Sequence, residues 1–349
     1  MPTTFASYPL EHEVAGVEQA PPEFELIAQL WAPLTRGAPG AYGLKDDVAY
    51  LPSSPLGQVV TCDQVIEGTH FLSSDPLDWV AKRLVRRNLS DLIAKGCEPV
   101  GAFLTLAWPK GRPYAQVADF ADGLGQDLAD LCGNCPLLGG DTSSTNGPLV
   151  ASLTLMGRGL SVSGAPILRS GARSGDLVFL TGLIGDSSLG LQVRLGQMDG
   201  QGLDGAVAFA MAPAPPPLAV AEVIATFAQA SIDISDGLLA DAGHVAEASN
   251  LAMHLRLDQV PLSAEATAFV ARSNNPIENL LSLVTGGDDY QALMCVAPDK
   301  VAACVSAIEA IGVRVTQIGV CQEGQGLVLT HCGSSVTLPA STGWQFSGA

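Results

Sequence analysis

The stretch "DISDGLLAD", residues 233–241, places three aspartates within nine positions around a serine and a glycine. The β-branched and apolar residues before it read as a strand. The leucines after it open a helical pattern. Polar side chains at such a strand–glycine–helix junction sit at the mouth of a layered α/β fold, where ligands bind. The segment therefore carries two expectations. Ser235 or Asp236 caps a helix opening at Gly237, and Asp233 and Asp236 face a cation. Asp241, a turn further on, is assigned to the helix.

Working outward, "EFELIAQLWAPL" (23–34) reads as an amphipathic helix, and "DDVAYL" (46–51) and "QVVTCDQVIEG" (58–68) as strands. Residues 75–96 read as a helix opened by Asp75 and Pro76 and closed at Gly96. A strand at 100–108, a helix at 114–133 and strands at 136–141 and 149–159 complete a first unit. In the second, a strand leads into 182, helices span 216–230, 237–249 and 298–311, and strands lie at 251–257 and 291–296. The order specifies an α/β (α+β) fold of two domains, the first a mixed sheet with helices. The expected divisions are a tail at 1–22, a first domain at 23–165 and a second at 166–349.

The chain has 349 residues, of which 47% are hydrophobic and 15% charged, a well-packed globular composition. No apolar run reaches the ~20 residues of a membrane span. The N-terminal stretch lacks the basic and apolar regions of a secretory signal, so a cytoplasmic protein is expected. A net charge of −18 disfavours nucleic acid. A nucleotide ligand then needs a divalent cation between itself and the carboxylates. Cys132 and Cys135 form the one C-x-x-C, too few ligands for structural zinc, and read as buried thiols.

The acidic residues cluster in glycine turns and at strand ends: Asp46 and Asp47, Asp63 and Glu67, Asp91, Asp141, Asp233 and Asp236, Asp288 and Asp289. Any one is ordinary turn chemistry. Together, adjacent pairs such as Asp46–Asp47 and Asp288–Asp289 repel unless a cation or donors offset them. Hard cations such as Mg²⁺ take oxygen ligands of this kind. There is no G-x-x-x-x-G-K-[ST] loop and no G-x-G-x-x-G fingerprint. Kinase H-R-D and D-F-G signatures are also missing. An EF-hand counted from Asp233 fails because position 244 is His244. Arg83, Arg86 and Arg87 read as a basic helix face for salt bridges or dimer contacts.

"GLKDDVAYL", "TCDQVIEGTHF", "RRNLSDLIAKGCEP", "LLGGDTSS", "LRSGARSGD", "DISDGLLADAGHVAEAS" and "TGGDDYQAL", with "GW" at 343–344, resemble in order and spacing the thiamine-monophosphate kinase family. That family falls within the aminoimidazole ribonucleotide synthetase-like ATP-binding superfamily. The resemblance covers roughly residues 25–346. It implies two α/β domains, a homodimer joined through strands of the first domain, and ATP with several Mg²⁺ ions in the cleft between domains. The implied reaction is phosphorylation of thiamine monophosphate to the diphosphate. By motif, Asp46, Thr61, Cys62, Asp63, Asp91, Asp233 and Asp236 correspond to the metal site. Gly140, Asp141, Arg169 and Ser235 correspond to ATP contacts, and His70, Asp288 and Trp344 to substrate contacts. Asp91, Asp236 and Arg169 are the expected catalytic groups. Lys45, Cys62 and Asp288 replace the family's usual Gly, Thr and Glu. Competing readings are another enzyme of the superfamily, such as a selenophosphate synthetase or a purine-precursor ligase, and a non-catalytic Mg²⁺–nucleotide regulator.

Overall fold

The computed structural model describes residues 23–45, 49, 54 and 56–344. The tail at 1–22, the expected strand at 46–51 and the Asp46–Asp47 pair lie outside the described residues, apart from Ala49. The helix expected over 23–34 is a short α-turn, α1 (Glu23–Leu26), continued by a π turn to Trp31 and a 3₁₀ turn to Thr35. Pro33 has no amide hydrogen to continue the α ladder.

The first sheet is built from β1 (Val59–Ile66), β2 (Cys97–Pro109), β3 (Leu137–Thr145) and β4 (Val150–Gly159), in the order β1-β4-β2-β3. β2 and β3 run parallel and the other pairs antiparallel. Two helices pack together on this unit, α2 (Leu77–Ala94) and α3 (Tyr114–Asp130). Asp75 does not cap α2. Pro76 holds the N-cap position without a side-chain bond, and the Asp75 carboxylate accepts the Leu72 amide and pairs with Arg194.

The second sheet comprises β5 (Leu177–Thr181), β6 (Ala228–Asp233), β7 (Ala252–Arg256), β8 (Ala292–Val296), β9 (Val315–Gln322), β10 (Gly326–His331) and β11 (Ser334–Val336). Their order is β11-β10-β7-β9-β5-β8-β6, and only β7 and β10 are parallel. Around it lie α4 (Asp186–Arg194), α5 (Asp204–Met211), α6 (Val220–Phe227), α7 (Leu238–Ser249), α8 (Ala264–Ala271), α9 (Pro276–Val284) and α10 (Val301–Ala310). The helix expected at 216–230 ends at Phe227. "AQASID" is instead drawn into pairing with β8, where tertiary pairing overrides local propensity.

α2 positions the site. It packs on β1, β2 and β4 on one side and on β6 and β8 on the other. One apolar core runs through it, joining Leu84, Leu92 and Leu153 to Ala292, Met294 and Ile308, so the two sheets share a centre. The opposite face of the second sheet has its own core, including Ile232, Leu239 and Leu293. Cys132 and Cys135 are buried free thiols whose acidity burial suppresses.

Candidate active site

Four residues of α2 recur at every fourth position: Arg83, Arg87, Asp91 and Lys95, the last being the helix's C-cap. Side chains spaced by four form a ridge along a helix. This ridge faces β1 of the first sheet and the ends of β6 and β8 of the second.

β1 contributes by strand alternation. Thr61 and Asp63 lie on one face: Thr61 Oγ1 donates to Asp91 Oδ2 at 2.5 Å, and Arg87 Nη2 lies 3.4 Å from Asp63 Oδ1. Asn88 accepts the Asp63 amide at 3.1 Å. Cys62 falls on the other face. Its thiol is exposed and accepts from Thr154 at 3.4 Å, so the structure does not bring Cys62 to the carboxylates.

β6 delivers Asp233, 4% exposed, to the same place, where Ser90 Oγ of α2 donates to Asp233 Oδ2 at 2.8 Å. Burial, then the charge of Asp233, pushes Asp91 up to about 7. Burial, then the charge of Asp241, pushes Asp233 up to about 6. Lys95 donates to the Ser231 carbonyl, and burial together with nearby Arg169 lowers its ammonium to about 8. Carboxylates so crowded and desolvated are short of positive charge. An all-oxygen donor set of this kind fits a hard divalent cation.

The "DISDG" loop is shaped from behind. Neither Ser235 nor Asp236 caps α7. Gly237 takes the N-cap position at φ 126°, where a Cβ would stand 2.8 Å from the Thr285 carbonyl oxygen. The cap comes from within the helix: Asp241 Oδ2 accepts the amides of Ser235, Asp236 and Gly237 at 3.0–3.1 Å. Asp241 is thus structural, as expected. Asp236, Asp241 and His244 also bring ligand atoms within 4.8 Å of one another. Trp344 reaches this loop through its backbone, its amide donating to the Asp236 carbonyl at 2.9 Å, with the ring exposed.

The "GGDDY" loop is knitted to "DISDG" by Asp288 N–H to the Ser235 carbonyl, 2.9 Å, and Tyr290 N–H to the Ile234 carbonyl, 2.8 Å. Its two aspartates part company. Asp289 is fully buried and accepts the Gly185 and Ser187 amides at the start of α4. Amide donors at a helix start thus offset one member of this pair. Asp288, at φ 65°, turns to the ridge: Tyr290 Oη donates to it at 2.6 Å, with Arg83 at 3.5 Å and Arg87 at 4.0 Å. His70 joins this group; its carbonyl accepts from Arg83 at 2.9 Å and its Nδ1 from the Ile66 amide at 3.1 Å. Burial, then Arg87, lowers the His70 pKa, so the imidazole is neutral.

The structure thus gathers Thr61, Asp63, Asp91, Asp233, Asp288 and His70 around α2, with Ser235 and Asp236 on the loop that follows Asp233. It does not bring Gly140 and Asp141 to them. Both lie on β3, three strands from β1 and about 14 Å away at the usual strand spacing. Arg169 is exposed on the Lys95 side. Arg83, Arg87, Lys95, Ser90 and Tyr290 were not expected as site residues. The spacing of four along the helix was the available signal for the first three.

Residues 45–159 match the AIR synthase related protein N-terminal domain and residues 173–332 its C-terminal domain. This fold with an acidic cleft therefore defines an AIR synthase related protein. A thiamine-monophosphate kinase of Caulobacter vibrioides is 42% identical over 336 residues, covering 96% of this chain and 94% of its own. That of Escherichia coli K12 is 34% identical over 303 residues, with 85% and 89% covered. The crystal structure of thiamine-monophosphate kinase from Stenotrophomonas maltophilia K279a superposes with TM-score 0.78 at 29% identity, over 90% of this chain and 98% of that one. AaThiL complexed with AMPPCP and TMP superposes with TM-score 0.68 at 29% identity, over 80% and 84%. The chain belongs to the thiamine-monophosphate kinase family.

Proposed function

We propose that this protein transfers the γ-phosphoryl group of ATP to thiamine monophosphate in a single in-line displacement, giving ADP and thiamine diphosphate. The observation that carries the reading is the crowding of Asp91 and Asp233, both buried between two sheets and both pushed up in pKa, beside Asp63. The AaThiL complex with AMPPCP and TMP supports it from a relative. Thr61, Asp63, Asp91, Asp233 and Asp236, with Asp46 by motif, would hold several Mg²⁺ ions. Bound Mg²⁺ supplies neutralisation of the phosphates and of the charge that develops during transfer.

The chain's own residues position and exclude. Ser235, Lys95 and Arg169 meet ATP at the C-terminal end of α2; Gly140 and Asp141, on β3, lie apart from this group. His70, Asp288 and Trp344 meet the acceptor toward the helix N-terminus. Asp91 and Asp236 stand between them. The acceptor is a phosphate monoester with a second pKa of about 6, so at neutral pH it is mostly deprotonated and needs no general base. The neutral His70 is accordingly a positioning group.

Residues 23–165 and 166–349 act as two domains closing on one cleft. The protein works in the cytoplasm as a homodimer joined through the first sheet; the exposed Val60 and Cys62 of its edge strand β1 support that. No helix of the described residues is long and apolar enough to cross a membrane.

The test is a product assay with thiamine monophosphate, ATP and Mg²⁺. Thiamine diphosphate and ADP should form in equal amounts and vanish with chelation. Asp91→Ala and Asp236→Ala should abolish turnover in folded protein. No product at saturating ATP and Mg²⁺, or near-wild-type rates in both variants, overturns the reading.

A further inference from the structure

We propose that Arg87, backed by Arg83, is the group that reads the phosphate of the acceptor; the proposal rests on the phosphotransfer reading above. Arg87 is held between two carboxylates, making one long bond through Nη2 to Asp63 at 3.4 Å and lying 4.0 Å from Asp288. Both separations exceed the 2.7–2.9 Å of a well-made charge-assisted bond. Its Nε is shut off from solvent and has no hydrogen-bond partner. A guanidinium offers five N–H donors in a rigid fork that matches a phosphate. Arg87 thus brings unused donors to the wall of the cleft.

Arg83 is differently placed. It is 5% exposed and anchored through Nη1 to the His70 carbonyl at 2.9 Å and through Nη2 to the Ala210 carbonyl at 2.5 Å. It lies 3.5 Å from Asp288 Oδ2, so two guanidinium groups surround a single carboxylate that Tyr290 holds from below. With Asp63 on its other side, Arg87 is loosely shared between two carboxylates, and an acceptor phosphate can compete for its donors. Position along α2 selects the acceptor over ATP. Arg87 stands one step of four residues, about 6 Å, from Asp91 and about 12 Å from Lys95. It shares its end of the ridge with His70 and Asp288, whereas Lys95 and Arg169 share the other.

A structural role for Arg87, neutralising Asp63 and Asp288, makes a different prediction from phosphate reading. The experiment compares Arg87→Met and Arg87→Lys with wild type. Calorimetry measures binding of thiamine monophosphate and of unphosphorylated thiamine, and kinetics measure KM for thiamine monophosphate and for ATP. In Arg87→Met, affinity for thiamine monophosphate should fall about ten- to a hundredfold, the scale of a lost bond to a charged group. Affinity for thiamine and KM for ATP should stay within about twofold, and Arg87→Lys should fall between. Equal loss for both thiamine ligands, or an unchanged KM for thiamine monophosphate, overturns the proposal. If Arg87→Met does not fold, Arg87→Lys and Arg87→Gln give the same comparison. Failure of the function itself is distinct: wild type would then form no thiamine diphosphate at all.

Discussion

Asp241 sits in the first turn of α7 with its carboxylate turned back onto three amides of the loop before it. Those amides point where no helical carbonyl can reach, so the side chain supplies what the backbone lacks. Replacing it by alanine should cost about 2–3 kcal/mol, the order expected when buried donors lose an acceptor. Denaturant titration would check this, with Asp241→Asn, which keeps one acceptor oxygen, costing less. Asp91 makes the opposite bargain. Its charge is buried beside Asp233, so Asp91→Asn should raise the melting temperature of the metal-free protein while cutting kcat by more than about a hundredfold. A lower melting temperature, or retained kcat, contradicts the assignment. In sequence the aspartates of "DISDGLLAD" are alike; the structure makes Asp241 the cap, while Asp233 and Asp236 are the proposed ligands. The cap was misassigned to Ser235 and Asp236 because sequence preferences describe the residue before a helix, and here the acceptor comes from inside it.

Strand and helix periods carry the geometry at the next scale. β1 separates Thr61 and Asp63 from Cys62 by simple alternation, and α2 lines up Arg83, Arg87, Asp91 and Lys95 by steps of four. The end of β1 is fixed by Glu67, which accepts the Leu149 amide at 3.0 Å and pairs with Arg112. Burial pushes its pKa up, but the Leu149 bond, Ser73 and Arg112 outweigh it and hold the carboxyl below the usual glutamate range. A carboxyl depressed on folding contributes stability above its unfolded pKa and loses it as pH falls through the folded value. Glu67→Gln should therefore melt below wild type at pH 7 and converge with it on the acid side of pH 4. A gap that persists unchanged to pH 3 would show that ionisation is not the source. The long elements such as α2 and α3 were legible because they fill a full window of helical periodicity. α8 and α9 were not expected, since eight or nine residues of "AEATAFVA" and "PIENLLSLV" give too short a window.

Across the whole molecule, the central fact is that α2 packs between two sheets, which is why the proposed contacts for both ends of a phosphoryl transfer fall on one helix. Two layered units were readable from the order of elements. The order β11-β10-β7-β9-β5-β8-β6 was not, because non-local pairing leaves no local pattern. A net charge of −18 and a substrate pair of polyanions accord with the proposal that cations, with the arginines of the cleft, stand between them. Among the described residues β1 ends its sheet as an edge with Val60 and Cys62 exposed. Light scattering should accordingly give twice the 35.9 kDa of one chain, and a monomer at micromolar concentration would contradict the dimer. The proposed site assigns no nucleophile to carry the phosphoryl group in transit, so transfer must be one displacement at phosphorus. The direct measurement is the stereochemical course with ATP made chiral at the γ-phosphorus. Inversion in the thiamine diphosphate formed is the predicted result, and retention, the mark of a phosphorylated enzyme intermediate, would contradict it.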